Sequence, residues 1–235
     1  MSQRAAHKRP PPELIDMVID FLHDDWDSLL NCNLCCRAMV LSCQMHLFEK
    51  VYATCTPYEG RHRSTLDWLN QLLQDSPHLG RHIKILSVRI QSEWACSVLI
   101  SVSRHLGAVK SLRVNWEDKP APWLTGLSFV GPAHRLDLRG AAIDALALKE
   151  FFGTFPNVTD LELYITSEVD EPSEEDARSL ASTLSHCPIR RIQATDGALG
   201  VLVPALQCTP LKTLIEFDFT TWQGTGVEFW TSWSR

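Results

Sequence analysis

The stretch that decides the fold is Ile83-Lys84-Ile85-Leu86-Ser87-Val88, whose frame of apolar, any, any, apolar, any, apolar residues recurs along the chain. Further copies begin at Val109, Ala133, Val158, Ile189 and, more poorly, Leu211. The starts are 26, 24, 25, 31 and 22 residues apart. Most of these intervals lie in the range of roughly 20–29 residues that is typical of one class of β–α repeat. The recurrence therefore predicts a stack of similar units.

The frames predict parallel strands over roughly 83–90, 109–115, 134–139, 158–165 and 189–194. Apolar residues at three-to-four spacing predict helices between them, over 65–74, 93–105, 143–152, 174–185 and 199–206. Segment 120–132, rich in Pro and Gly, reads as irregular. Short strands that alternate with helices predict an α/β fold with one parallel sheet in sequential order. An ordinary α/β domain with a coincidental period is the alternative.

The residues that alternate with the inward apolar positions should line one face of the sheet. The early strands carry mostly basic residues on this face, and the fourth carries acidic ones, near the acidic segment 168–176. A solvated face with scattered charges is one interpretation. The other is a concave recognition surface, because repeat solenoids bind partners there. On that interpretation, the predicted target-binding residues are Arg89, Arg113, Arg135, Arg139, Glu162 and Tyr164.

Residues 10–51 have helical character and precede the repeats. Prolines at 10–12 suit a helix start, and Leu14, Ile15, Val18, Ile19 and Leu22 follow at helical spacing. Asp27 or Ser28 can cap a second helix, and a third runs through Met39 to Phe48. Three short helices bury little core alone, so such a unit normally leans on a partner or a neighbouring domain.

This segment resembles an F-box. The matching positions are Pro11-Pro12-Glu13-Leu14-Ile15, Ile19, Leu22, Leu29-Leu30, Leu34-Cys35-Cys36-Arg37 and Leu47-Phe48. Pro10 stands where the motif has leucine, and Met39 where tryptophan is common. The whole design is similar to F-box-like proteins with degenerate leucine-rich repeats that are abundant in mushroom-forming fungi.

The resemblance implies a substrate-recognition subunit of an SCF-type (cullin–RING) ubiquitin ligase in the cytoplasm or nucleus. A Skp-type adaptor would bind the box, the repeats would capture a target protein, and other subunits would supply catalysis. It assigns adaptor binding to Pro12, Leu14, Ile15, Ile19, Leu22, Leu29, Leu30, Leu34 and Cys35. A repeat scaffold without ligase coupling is the alternative, and a small α/β enzyme is a third, weaker one.

The predicted organisation is a mobile tail (1–9), the box (10–51), a linker that is partly strand-like at its start (52–63) and a leucine-rich-repeat-like solenoid (64–235). Tryptophans and phenylalanines near the C-terminus would cap its open end. The net charge of -6 disfavours a general nucleic-acid binder. No apolar run is long enough for a membrane span, and the polar start does not resemble a signal peptide.

Eight cysteines in a chain of 235 residues without an export signal are read as reduced, intracellular thiols. Four of them crowd between Cys32 and Cys43, but no second well-spaced pair completes a zinc site, so buried thiols are the favoured interpretation. No nucleophile elbow, zinc-protease motif, phosphate loop or paired-glycine motif is present. The scattered histidines read as surface or packing residues. We therefore expect no catalytic residues, no cofactor and no metal.

Overall fold

A computed structural model describes residues 11–55, 64–117, 133–166, 172–209, 211, 213–223 and 227–234. The predicted tail (1–9) and segment 120–132 lie outside these ranges, as do residues 56–63 of the predicted linker and 168–171 of the acidic segment. The chain divides into two compact units between Lys50 and Val51. In the described part of the chain, no helix is long and apolar enough to cross a membrane.

The first unit contains three helices, α1 (Pro12–Phe21), α2 (Trp26–Cys35) and α3 (Arg37–Leu47). Proline at the first position of α1 suits a helix start, since its missing N–H would have no intrahelical partner. Asp25, and neither Asp27 nor Ser28, caps α2: its carboxylate accepts a hydrogen bond from the Ser28 backbone N–H at 3.1 Å. Extended backbone at Cys36 separates α2 from α3.

The second unit is α/β, as predicted, with one eight-stranded sheet in sequential order. The strands are β1 (Lys50–Thr54), β2 (Ile85–Ile90), β3 (Ser111–Trp116), β4 (Arg135–Gly140), β5 (Asp160–Ile165), β6 (Arg191–Thr195), β7 (Glu216–Gln223) and β8 (Val227–Ser234). The helices are α4 (Thr65–Asp75), a 3-10 helix (Pro77–His82), α5 (Glu93–Ser103), α6 (Ala145–Thr154), α7 (Glu174–His186) and α8 (Asp196–Cys208).

Strands β2 to β7 pair parallel, and β8 returns antiparallel to β7. The segment predicted as a linker over 52–63 is strand at its start, as expected, because Tyr52–Thr54 belong to β1. This run of β-favouring residues buries Ala53. The predicted aromatic cap coincides with the β7–β8 hairpin, for which the structure describes only the backbone beyond Phe219.

The inward apolar positions lie in register across the sheet. Leu86 pairs with Leu112, and the same row continues through Leu136, Leu161, Ile192 and Phe217. The poor sixth copy predicted from Leu211 was three residues early, because Phe217 and Phe219 pair with Ile192 and Ala194. The frame therefore begins at Leu214. The prediction matched Leu211 and Leu214, which belong to the connection before β7.

A repeated hydrogen-bond pattern marks the start of each strand. The carbonyl oxygen of Lys84 accepts from the backbone N–H groups of Lys110 and Ser111, at 2.8 and 3.1 Å. The carbonyls of Lys110, His134, Thr159 and Arg190 accept the same pair of bonds from the next strand. Five equivalent carbonyls with equivalent partners show that these units repeat in geometry as well as in sequence.

Candidate binding surfaces

The core of the first unit consists of Ile19, Leu29, Cys43 and Leu47, all buried. Partly buried side chains complete it, namely Ile15, Leu22, Cys32, Met39 and Phe48. Both α1 and α2 pack against α3. Between α1 and α3, His46 Nε2 lies 2.9 Å from Asp20 Oδ1, and the Ser42 hydroxyl donates to Asp16. The core is therefore small, and it lies mainly against α3.

Two of the predicted adaptor contacts lie inside this core. Ile19 and Leu29 are 0% and 1% exposed, so the fold encloses both side chains. Ile15 and Leu22 also pack against the core. Adaptor contact by these four residues stays a prediction; α1 is apolar on more than one face, and its spacing does not tell which face turns inward.

A second apolar stripe on α1 faces outward. Leu14, Met17, Val18 and Phe21 follow the spacing i, i+3, i+4, i+7 and are all exposed, with Phe21 86% exposed. Helix α2 exposes Trp26, Leu30 and Leu34, which follow one another every four residues; Leu34 is 82% exposed. We call these seven residues the exposed apolar stripes. Exposed apolar surface on this scale marks an interaction site.

The structure therefore divides the predicted adaptor residues. Pro12, Leu14, Leu30, Leu34 and Cys35 are exposed and remain candidates for contact. Sequence reasoning missed Met17, Phe21 and Trp26, and it counted Val18 among the stripe that packs inward. Met17, Val18 and Phe21 could have been found from a second helical spacing, through 14, 17, 18 and 21. It runs beside the spacing through 15, 19 and 22, whose residues pack inward.

The predicted target-binding residues do share one face of the sheet. Register aligns Ser87, Arg113, Asp137, Glu162 and Gln193 in one row. A second row aligns Arg89, Arg139 and Tyr164 through Asn115, and a third contains Arg135 with Ser111 and Asp160. We call this face the charged ladder.

Asp137 is the centre of the charged ladder. It is only 2% exposed, because Arg113 and Arg139 lie over it from both sides. Arg139 donates to its two oxygens at 2.7 and 3.1 Å, and Arg113 donates to one of them. The bond to Asp137 raises the pKa of Arg139. The Arg139 guanidinium also lies 4.3 Å from the ring centre of Tyr164, in a cation–π contact.

The other arginines of the ladder are paired as well. Arg89 bonds Glu117 at 2.7 Å, Arg191 bonds Glu216 at 2.7 Å, and Arg135 donates to Glu162. The Gln91 amide donates to the same Glu117 oxygen as Arg89 does. Both hydrogen bonds lower the pKa of Glu117, and the bond from Gln91 has the larger effect. The predicted arginines lie on β2–β4 and Glu162 on β5, in the predicted order along the sheet. Strand register also places each arginine within reach of a carboxylate, so the charges of this face are paired.

The cysteine cluster does not form a metal site. Within the residues described, no group of three or more His, Cys, Asp and Glu could hold a metal ion. The thiols of this cluster, those of Cys32, Cys35, Cys36 and Cys43, are free. Burial raises the pKa of Cys43, as expected for a packing thiol. The buried-thiol interpretation is wrong for Cys35 and Cys36. Both are exposed, because they lie where α2 ends and α3 begins.

Comparisons with known proteins supply no family for this chain: no family model matches it, and no curated protein matches it. Two features of the described residues remain for a functional argument. One is the pair of exposed apolar stripes on the three-helix unit. The other is a sheet face on which the charged side chains form ion pairs.

Proposed function

We propose that this chain is the substrate-recognition subunit of an SCF-type ubiquitin ligase, with an F-box in residues 10–51 and leucine-rich-repeat-like units after it. The observation that carries the proposal is the exposed apolar stripes, which include Leu14, Leu30 and Leu34 from the motif-like positions. A Skp-type adaptor is the partner that the motif resemblance implies.

The energetics of the three-helix unit support the need for a partner. Only four of its side chains are fully buried apolar core, and three short helices are marginal without further packing. Covering one large apolar side chain contributes roughly 1.5–3 kcal/mol. A partner that covers several of the stripe residues would therefore gain affinity and stabilise the unit at the same time.

The repeat unit would hold the target protein near the ligase. Sequential parallel strands with one repeated hydrogen-bond pattern support leucine-rich-repeat-like units, which present an extended surface without catalytic groups. Tethering a target this way raises its effective concentration at the ligase. The chain would contribute recognition, and other subunits would transfer ubiquitin.

The test is adaptor binding by the purified full chain and by two variants. We expect Leu14→Ala with Leu34→Ala to weaken binding to a Skp-type adaptor by at least about tenfold, since two exposed anchors are truncated. Both positions are solvent-exposed, so the fold should persist. The matched control is Leu146→Ala, an exposed leucine on α6 in the second unit, which should bind as the parent chain does.

Two outcomes would count against the proposal. Undiminished adaptor binding by the double variant would remove the stripes from the interface. No binding by the parent chain would favour the repeat scaffold without ligase coupling. Circular dichroism of each variant establishes that a loss of binding does not reflect unfolding.

A further inference from the structure

One end of the sheet is basic, although the chain as a whole has a net charge of -6. At this end the helices finish and the parallel strands begin. Its basic side chains are Arg81, Lys84, Arg104, Lys110 and Arg190, with the histidines His78, His82, His105, His134 and His186. We call these ten residues the basic end. The described residues of its connections (76–84, 104–110, 133–134, 155–159, 187–190 and 209–215) contain no Asp or Glu, and three acidic residues adjoin them: Asp75 at the end of α4, Asp160 at the start of β5 and Glu216 at the start of β7.

Hydrogen bonds place these residues side by side. The carbonyl of Lys84 binds the backbone N–H of Lys110, and that of Lys110 binds the N–H of His134. The His134 carbonyl binds the N–H of Thr159, and the Thr159 carbonyl binds that of Arg190, so the row continues to Arg190. Gly80 lies so close to the carbonyl of His105 that a Cβ on it would be 2.0 Å from that oxygen. Burial lowers the pKa of His82, and the nearby charges that add to this effect are Arg81, His78 and Lys84.

The cations of the basic end differ from those of the charged ladder. Each ladder arginine has a carboxylate partner, but Arg81, Lys84, Arg104, Lys110 and Arg190 form no salt bridge with any residue that the structure describes. The Lys84 ammonium donates only to a carbonyl, that of Arg81, at 3.2 Å. At the opposite end of the sheet, helix starts carry Asp144, Glu174, Glu175, Asp176 and Asp196.

Helix stabilisation does not account for the basic end. Cations near a helix C-terminus are favourable because of the macrodipole. The last turns of α4, α5, α6 and α8, however, contain no basic residue. Lys84, Lys110 and Arg190 stand one residue before a strand. Lys110 and Arg190 are exposed, so their charges are available to a partner.

We propose that the basic end binds an acidic, extended segment of a partner protein. Lys110 and Arg190 precede β3 and β6, three strand spacings apart, which is about 14 Å. Side chains four residues apart on an extended peptide are separated by a similar distance, about 13–14 Å. Carboxylates at that spacing would therefore meet both cations. This binding needs neither the F-box nor a ligase, and so it extends beyond the proposed function.

The chemistry favours an acidic peptide over a nucleic acid. Single-stranded nucleic acids bind where aromatic side chains stack on their bases. The one Phe, Tyr or Trp in the described connections, Phe155, is buried.

The test is fluorescence anisotropy of a labelled octaglutamate peptide with the full chain, at low salt and at about 0.15 M salt. We expect saturable binding that weakens with salt, and octaglutamine should not bind. Lys110→Glu with Arg190→Glu should reduce affinity for octaglutamate about tenfold or more, because two attractions become repulsions. The matched control, Lys149→Glu with Arg178→Glu, makes the same charge change on α6 and α7 and should change affinity less than about twofold.

Three results would overturn the proposal. An equal loss of affinity for octaglutamate in both double variants would show that binding depends on the net charge of the chain and not on the basic end. Tighter binding of an eight-residue oligothymidylate than of octaglutamate would assign the basic end to nucleic acid. Concentration-dependent self-association, measured by sedimentation and abolished by the Lys110/Arg190 variant, would assign it to the acidic end of a second copy. Adaptor binding is measured separately, so its failure leaves this result unaffected.

Discussion

Asp137 shows how one carboxylate can organise a surface. It lies on the outward side of β4, where a strand of this sheet would usually meet solvent, yet two guanidiniums enclose it. Charge-assisted hydrogen bonds of this kind are about twice as strong as neutral ones. The bonds to Asp137 occupy the Nε of Arg113 and two donors of Arg139, so fewer N–H groups of these arginines remain for a target.

Replacing Asp137 by Asn should destabilise the repeat unit. The change removes the counter-charge of two partly buried guanidiniums, and we expect the free energy of unfolding to fall by about 1–3 kcal/mol. Urea denaturation followed by circular dichroism measures it. Glu117→Gln is the control, since Glu117 pairs with Arg89 at an exposed site and should change the free energy of unfolding much less. Equal effects in the two variants would contradict the special role of Asp137.

Replacing Asp218 on β7 by Asn should have the opposite effect and stabilise the repeat unit. Burial raises the pKa of its carboxyl, the charge of Glu216 raises it further, and Oδ1 is buried without a hydrogen-bond partner. Because the folded state keeps the proton to a higher pH than the unfolded chain does, ionisation lowers stability as the pH rises through the folded pKa. Asp218→Asn should therefore raise the free energy of unfolding at pH 7 by about 1 kcal/mol.

The pH dependence separates this effect from a change in packing. Below the unfolded carboxyl pKa of about 3.9, both states are protonated and the advantage of Asp218→Asn should vanish. Urea midpoints at pH 7 and at low pH measure the difference. Glu150→Gln, an exposed change on α6, should leave both midpoints nearly unaltered. An advantage that persists at low pH would show that the effect comes from side-chain fit.

At the scale of elements, close contacts between neighbouring strands decide where small residues are required. The indole of Trp116, at the end of β3, lies over Gly140 at the end of β4, and its Nε1 donates to the Ala142 carbonyl at 3.2 Å. Thr195 plays a similar role at the end of β6: its hydroxyl accepts from the Ile165 N–H and donates to the Ile165 carbonyl, both at 2.8 Å. Side chains thus secure the strand ends.

Gly140→Ala should destabilise the repeat unit by about 1–3 kcal/mol. A Cβ at residue 140 would lie 2.1 Å from a ring carbon of Trp116, so the indole must move and its hydrogen bond with it. Gly153→Ala is the matched control, because Gly153 is in helix α6 with open space around it. Alanine there should stabilise by about 0.5–1 kcal/mol. Thermal unfolding of both variants tests the opposite signs.

At the scale of the whole molecule, thiol burial gives a test of both units at once. Cys35, Cys36 and Cys208 are exposed, and Cys32 is half-buried. The buried thiols are Cys43, Cys55, Cys96 and Cys187. Burial raises the pKa of Cys43 and of Cys187, so few reactive thiolates form there at neutral pH.

Titration of the native chain with Ellman's reagent should therefore show three rapidly reacting thiols, with Cys32 slower. The four buried thiols should react only on unfolding, and the same titration in urea should reach all eight. Rapid reaction of more than four thiols in the native chain would contradict the packing of one unit or both. Mass spectrometry of the labelled peptides identifies which.

The spans of helices and strands followed from residues only a few positions apart. The strand predicted over 134–139 is Arg135–Gly140, and the helix predicted over 174–185 is Glu174–His186. Period-two and period-3.6 spacing are local properties, and the constant repeat extended them to strand order. The sixth frame was placed too early, at Leu211, because apolar residues before a strand can follow the same spacing as those of the strand itself. Only the pairing of Phe217 and Phe219 with Ile192 and Ala194 distinguishes the two.

Pairing between distant segments was decided by tertiary structure alone. Periodicity predicted one wide apolar stripe on α1, but only packing against α3 determined that Ile15, Ile19 and Leu22 turn inward and Phe21 outward. Asp137 acquired its two arginines because strand register, set over about 25 residues of intervening chain, brought Arg113 beside it. The basic end arose in the same way, since residues as far apart as Lys84 and Arg190 become neighbours only when parallel strands start at one end of a sheet.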